Sequence, residues 1–168
     1  KARAVADILE AFGWTGSRQS TRTDRETDPN VLQPGVLANG TASVWLSRAV
    51  AGGRMAELAI AAKSPEELVE TLFLQVVSRP PTAEERTAVV AELAPGFSER
   101  MLPASEVAVL AIPEPLPKIT WSNHLRPEAN ALALDYEQRA RTGPPADPRL
   151  RTQWREMYED VVWSLINL

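Results

Sequence analysis

Residues 64–93 have the sequence SPEELVETLFLQVVSRPPTAEERTAVVAEL, and this stretch decides the fold. Ser64 is a suitable N-cap, a proline follows it at the first helical position, and Glu67 stands where a capping-box carboxylate reaches back. The same pattern recurs at Thr82 and Glu85, after two prolines have stopped the first helix. The stretch therefore predicts two helices joined by a tight corner.

Apolar residues cover nearly the whole circumference of the first helix of this hairpin. They are Leu68, Val69, Leu72, Phe73, Leu74, Val76 and Val77. A helix that is apolar on most sides needs neighbours all round it. We therefore predict an all-α fold, an irregular bundle of roughly six to eight helices around a central helical hairpin.

The size and composition are those of a globular domain. At 168 residues, with 44% apolar and 24% charged residues, the chain fits a single helical domain over residues 1–168. The net charge of −4 provides no basic field for phosphates, which argues against nucleic-acid binding. No apolar run is long enough to span a bilayer, and no signal peptide is visible.

Cysteine and histidine usage restricts the chemistry. The chain has no cysteine and one histidine, His124, so disulfides, thiolate chemistry and cysteine- or histidine-rich metal sites are excluded. A carboxylate-only calcium or magnesium site remains open. We predict no bound metal and no cofactor. Because the chain starts at Lys1 and stops at Leu168 within helical patterns, we expect it to be a fragment of a larger protein.

The N-terminal part predicts short helices separated by turns. Apolar spacings of three and four indicate a helix over residues 4–12 that ends at a glycine, followed by a loop without periodicity over residues 14–27. Asp28, with the next proline, should cap a short helix that Pro34 and Gly35 kink or interrupt. Thr41 caps another helix, and a further helix precedes the hairpin.

The C-terminal part changes in character. Residues 96–126 are rich in proline, which predicts an irregular extended wrap, with residues 107–112 as a short strand or extended chain. Trp121 and Leu125 are the expected anchors of this wrap. A helix follows, and Asp147 with the next proline should start the last helix. That helix carries a broad apolar face, which we expect to pack on the central hairpin.

Several stretches together resemble a known family. They are AFG at 11–13, RQS at 18–20, DRETDPNVLQ at 24–33, LANG at 37–40, LFL at 72–74, SRPPTAEER at 78–86 and EDVVWSLIN at 159–167. In this order they resemble the planctomycete-type domain of unknown function found at the C-terminus of large exported proteins, some of which carry a cytochrome c-like domain. The resemblance implies an exported or periplasmic location, and it implies no established reaction and no catalytic residues. Some relatives place two cysteines where Thr21 and Thr23 stand here, so any metal or redox role of that pair is lost.

The first loop is the best candidate for a ligand site. It concentrates charge in a short segment, and the candidate residues are Arg18, Arg22, Asp24, Arg25 and Glu26. Three interpretations stay open. The segment is a solvated loop with weak ion pairs, or an arginine folds inward and binds helix-terminal carbonyls, or the loop provides a functional group: an arginine fork for a carboxylate or sulfate, or a paired acid and base. His124 is the sixth candidate, but no triad context surrounds it, and a cap or surface hydrogen bond would also explain it.

Other polar and aromatic residues have structural explanations. The glutamates Glu66, Glu67, Glu84 and Glu85 stand in first helical turns, where the helix dipole favours negative charge. The five tryptophans do not form an obvious sugar-stacking platform, because Trp154 and Trp163 fall on different parts of one helix.

The sequence favours a structural or protein-interaction module of a larger exported multidomain protein over an enzyme, although it reveals no molecular activity. Its partners would be other domains of the same polypeptide or a second protein, and the oligomeric state is open. The alternative is a contribution to a hydrolytic or carbohydrate-processing site lined by the first-loop charges and His124. A third hypothesis is an accessory domain that docks a cytochrome c-like partner through an acidic surface.

Overall fold

The computed structural model of the protein describes residues 2–14, 28–110 and 114–168. Its helices are α1 (Ala2–Ala11), α2 (Leu32–Asn39), α3 (Thr41–Ser47), α4 (Arg54–Ala61), α5 (Pro65–Leu72), α6 (Ala83–Leu93), α7 (Pro127–Thr142) and α8 (Thr152–Ile166). A π-helical turn, Phe73–Val77, continues α5, and a 3-10 turn, Phe97–Glu99, follows α6. The residues described contain two isolated β-bridges and no strand, which confirms the predicted all-α class.

The chain forms two compact units. Unit 1 consists of Lys1–Val44 and Ala111–Gly143, and unit 2 consists of Trp45–Leu110 and Pro144–Leu168. Nine of the 18 basic and nine of the 22 acidic residues belong to unit 1, so unit 1 is neutral and unit 2 carries the net charge of −4. That residues 1–168 are a single domain stays a prediction.

The caps of the central hairpin in unit 2 follow the sequence signals. The Ser64 hydroxyl accepts a hydrogen bond from the Glu67 amide at 3.2 Å, and Thr82 and Glu85 form a complete capping box. One detail differs, because the Glu67 carboxylate accepts from the amide of Lys63 rather than from that of the N-cap. The corner is closed by Ser78, whose φ of 61° is left-handed, and the helices therefore turn back within a few residues.

The burial of the first hairpin helix is one-sided. Leu68, Val69, Leu72 and Phe73 are fully buried, but Leu74 is 58% exposed. The neighbouring helices α4, α6 and α8 cover the buried side. The prediction of a helix hidden on nearly every side is therefore wrong, and this helix forms one wall of the core rather than its axis.

Helix α8 packs on the hairpin, as predicted. Its buried side chains recur every three or four residues, and they are Trp154, Tyr158, Val162 and Leu165. The Trp154 indole donates from Nε1 to the Leu93 carbonyl at 3.1 Å and stacks on the Tyr158 ring at 5.4 Å between centroids. The Tyr158 hydroxyl donates to the Met55 carbonyl at 2.9 Å, so this face ties α8 to both α6 and α4.

A buried cation holds the end of α4. Arg100 is 8% exposed, and its guanidinium donates to the carbonyls of Ala59, Ile60 and Ala62 at 2.7, 3.2 and 2.6 Å. It donates also to the Phe97 carbonyl and lies 3.8 Å from the centroid of that ring. Burial lowers the pKa of Arg100 from its ordinary value. The last carbonyls of a helix have no hydrogen-bond donor within the helix. The Arg100 side chain supplies donors to three carbonyls at the end of α4.

Asp147 does not start the last helix, which begins at Thr152. Its carboxylate is buried at 1% exposure and accepts three hydrogen bonds from Arg149, one from the amide and two from the guanidinium, at 2.7–2.9 Å. Its own amide donates to the Ala49 carbonyl at 2.8 Å. The residue pairs with a cation instead of capping α8, because its side chain lies too many residues before the first turn to reach it.

We expect Asp147→Asn to make the protein less stable at neutral pH and less sensitive to acid. Arg149 holds the pKa of Asp147 below its ordinary value, so the unfolded chain takes up this proton first as the pH falls. The stabilisation is therefore complete above about pH 3.9 and is lost as the pH falls through the lower folded pKa.

Urea unfolding at neutral pH and at about pH 3 checks this expectation. The variant should lose about 1–2 kcal/mol at neutral pH and show a smaller further loss in acid than the wild type. Glu57→Gln is the matched control, since Glu57 binds the same guanidinium from a half-exposed position. If the wild type and Asp147→Asn lose the same free energy of unfolding between neutral pH and about pH 3, the Arg149 pairing does not lower the pKa of Asp147.

In unit 1, α1 ends as predicted, at Gly13 with a φ of 85°. Helix α2, however, is capped by Asn30, whose side-chain oxygen accepts from the amides of Leu32 and Gln33. The proposed cap at Asp28 is therefore wrong. The kink is wrong as well, because Pro34 falls in the first turn of α2, where a missing amide hydrogen breaks no helical bond.

The proline-rich wrap is held differently from the prediction. Trp121 and Leu125, expected to be its anchors, are 90% and 86% exposed. Instead, Tyr136 of α7 donates its hydroxyl to the carbonyls of Leu116 and Pro117, at 3.1 and 3.2 Å, and Arg139 donates to the carbonyl of Glu114. A proline has no amide hydrogen to donate, so carbonyls in this segment lack backbone partners, and side chains of α7 donate to them instead. Residues 111–113 lie outside the described residues.

Candidate functional site

Five of the six predicted site residues fall in the first loop. Arg18, Arg22, Asp24, Arg25 and Glu26 lie outside the described residues, as do Thr21 and Thr23. The three interpretations of that loop therefore stay predictions.

His124, the sixth predicted residue, lies at the surface of unit 1. Its Nδ1 is 2.6 Å from the carbonyl oxygen of Trp121, and its ring stacks on the Trp121 indole with 4.8 Å between centroids. A carbonyl only accepts, so Nδ1 carries the hydrogen in this contact. The ring thus makes a local surface hydrogen bond, which is the structural explanation that the sequence also offered for His124.

Two of the acidic residues singled out in first helical turns, Glu66 and Glu85, have hydrogen-bond partners in unit 2. Arg79 donates from its two terminal guanidinium nitrogens to the Glu85 carboxylate, at 2.6 and 2.7 Å. Together with the Thr82 amide, Arg79 lowers the pKa of Glu85 to about 2. The Ser64 hydroxyl lowers the pKa of Glu66. These carboxylates act as ionised caps, and neither has the raised pKa of a general acid.

A groove of about 700 Å³ lies within unit 1. Its lining comes from α1, the C-terminal half of α2, the start of α3, the wrap and α7. The residues are Ile8, Val36, Asn39, Gly40, Thr41, Ile119, Asn130, Ala133, Leu134, Tyr136, Glu137, Ala140 and Arg141. This volume is within the range of pockets that hold small molecules or an inserted side-chain cluster.

The groove combines apolar walls with neutral polar groups and one ion pair. Ile8, Val36 and Leu134 belong to the apolar part of the lining, while Glu137 and Arg141 form an exposed pair at 2.7 Å. Asparagine carboxamides both donate and accept, so they suit peptide groups or hydroxyls. The arrangement can bind an apolar segment, but it shows no nucleophile beside a base.

Unit 1 also exposes many large apolar side chains. Those more than 45% exposed are Val31, Leu32, Leu37, Trp121, Leu125 and Leu134. Sequence reasoning missed both this exposure and the groove. One signal was available in the sequence around α2. Its apolar residues do not form a single stripe, so one neighbouring element could not cover all of them; they are Val31, Leu32, Val36 and Leu37.

Metal and membrane-spanning features can be judged for the described part of the chain. There, no three histidine, aspartate or glutamate side chains are close enough to hold a metal ion together. None of the helices described is both long and apolar enough to cross a bilayer.

Comparison with known proteins gives one match. The model of a family described as PSD1, protein of unknown function (DUF1553), matches residues 1–93, more than half of the chain. The match includes α1 to α6 and therefore both helices of the central hairpin. Neither a curated protein nor a solved structure matches the chain.

Proposed function

We propose that this chain, which belongs to the PSD1 family of proteins of unknown function, is a structural or protein-interaction module of a larger exported multidomain protein of planctomycete type. Its partners are the other domains of that polypeptide or a second protein. The exported location and the planctomycete type rest on the resemblance of its sequence stretches.

The observation that carries this proposal is the apolar surface of unit 1. Val31 is 88% exposed, and Leu32 and Leu134 are both above 60%. Large apolar side chains that remain bare in an isolated domain mark contact sites when they gather near a groove. Here Leu134 itself lines the groove, as does Val36 of α2.

Charge supports the same conclusion. Unit 1 is neutral, whereas unit 2 carries the whole net charge of −4. The cores of protein interfaces are depleted in charge and enriched in apolar residues. Unit 1 therefore has the charge expected of a contact surface.

Single cysteines test the proposal directly, because the chain has none of its own. We expect Leu32→Cys and Leu134→Cys to react rapidly with a maleimide in the isolated chain. In the parent polypeptide the same positions should react at least about tenfold more slowly, since a covered interface residue is withdrawn from solvent.

Ala88→Cys is the matched control, on the exposed side of α6 in unit 2, and it should react at the same rate in both contexts. Unchanged rates at Leu32 and Leu134 in the parent polypeptide, and after addition of a lysate fraction from the source cells, would refute the interaction module. If the cysteines at positions 32 and 134 react slowly in the isolated chain, and do so only at high protein concentration, the chain associates with itself instead.

A further inference from the structure

The most exposed aromatic residue of the protein lies in a short turn of unit 1. Residues 118–127, named here the Trp121 turn, are the last part of the wrap and the first residue of α7. Within this turn Trp121 is 90% and Leu125 is 86% exposed. Leaving these two side chains in water forgoes much of the free energy of burial that they would gain elsewhere.

The turn is held together by its own hydrogen bonds. The Asn123 side chain accepts from the Thr120 amide at 2.6 Å and donates to the Lys118 carbonyl at 3.0 Å. The Thr120 carbonyl in turn accepts from the amides of Asn123 and His124, at 3.2 and 3.0 Å. His124 also donates to the Trp121 carbonyl and stacks on the indole, so both the backbone and the ring of Trp121 have a partner within the turn.

These bonds have a second consequence, because they satisfy much of the main chain internally. The carbonyls of Lys118, Thr120, Trp121 and Asn123 all accept hydrogen bonds from within the turn. Main-chain groups that already have partners cost less to move out of water into a lipid phase. A protein partner would not require this, since it can supply hydrogen bonds of its own.

The charges of the turn are positive. Lys118 and Arg126 flank the exposed side chains, and no carboxylate lies between them; Glu128 follows in the first turn of α7. A basic turn on a neutral unit is complementary to an anionic surface. Tryptophan prefers the boundary between lipid headgroups and acyl chains, where its ring is buried and its N–H stays hydrated.

We infer that the Trp121 turn is an interfacial anchor that inserts Trp121 and Leu125 into the headgroup boundary of an anionic lipid bilayer, with Lys118 and Arg126 on the lipid phosphates. This goes beyond the proposed protein-interaction role and uses residues of unit 1 other than those in that test. Apolar insertion and electrostatic attraction together supply the two contributions that stable surface attachment needs.

Vesicle sedimentation of the whole chain tests the inference. We expect binding to vesicles of phosphatidylcholine mixed with phosphatidylglycerol, and at least about tenfold weaker binding to phosphatidylcholine alone. Raising the salt concentration from about 0.15 M to about 1 M should remove most of that difference, because it screens the charges. A fluorophore on Leu125→Cys should shift to the blue on binding, whereas one on Ala88→Cys should not.

Variants separate the two contributions. Trp121→Ala with Leu125→Ala should weaken binding to both vesicle types by at least about tenfold, and these exposed positions leave the fold unchanged. Lys118→Gln with Arg126→Gln should weaken only the binding to anionic vesicles. Leu74→Ala, an exposed apolar position of unit 2, is the matched control and should bind like the wild type.

The inference is overturned if the wild type does not bind anionic vesicles, or if the Trp121/Leu125 variant binds them equally well. It is overturned also if the fluorophore at position 125 is shielded in the parent polypeptide without lipid, since the turn then docks on protein. That last result would leave the proposed interaction module standing, so the two proposals fail separately.

Discussion

Replacing Arg100 by methionine should cost about 3 kcal/mol or more of the free energy of unfolding. The substitution keeps most of the apolar volume but removes the Arg100 donors from the carbonyls of Ala59, Ile60 and Ala62 at the end of α4. A buried acceptor that loses its partner costs its full desolvation, which applies in full to the buried Ala59 contact and in part to the half-buried contacts with Ile60 and Ala62. Urea unfolding followed by circular dichroism measures the difference.

Arg151→Ala is the matched control for Arg100. The Arg151 side chain is exposed and donates one hydrogen bond, from Nε to the Glu99 carbonyl at 2.7 Å. We expect its loss to change stability by about 0.5 kcal/mol or less. Arg100→Lys should fall between the two, because an ammonium keeps the charge but cannot reproduce the guanidinium fork. If Arg100→Met unfolds at the wild-type urea concentration, Arg100 does not hold α4.

Trp154→Ala should destabilise the protein by about 3–5 kcal/mol. The indole is 4% exposed and stacks on Tyr158, and its N–H donates to the Leu93 carbonyl. It also meets the Phe97 ring edge-on, with 6.0 Å between centroids. Alanine would leave a large cavity between α8 and the hairpin and an unpaired carbonyl at its edge.

Trp163→Ala on the same helix is the natural comparison. Trp163 is 39% exposed, so we expect its removal to cost about 1 kcal/mol. The difference between the two tryptophan variants should appear in thermal unfolding as well as in urea. Equal losses at the two positions would mean that α8 is rotated relative to the arrangement described here.

The local signals of the hairpin were readable because they act over a few residues. Ser64, Thr82 and Glu85 cap helices by contacts with amides three residues away, so their spacing was sufficient. Arg100 could not be recognised in the same way. Its acceptors Ala59 and Ala62 lie about forty residues earlier in the chain, and nothing in the local pattern announces a contact of that range.

The candidate sites show the same division. His124 was singled out as the only histidine, and its local partner Trp121 lies three residues away. The groove of unit 1 was invisible in the sequence, since it brings together residues as distant as Ile8 and Leu134. The prediction that Trp121 anchors the proline-rich segment is wrong, because Trp121 is exposed. Only the structure shows that Tyr136 of α7 already donates a hydrogen bond to a carbonyl of this segment.

The sequence by itself determined the all-α class, the caps and corner of the hairpin, and the helical period that turns α8 towards it. These follow from short-range hydrogen bonding and from which side chains avoid water. Only the tertiary structure decided which apolar side chains are covered, where a buried guanidinium finds its carbonyls, and that unit 1 keeps apolar groups in water. Burial depends on neighbours that are far away along the chain, and residue type alone does not specify them.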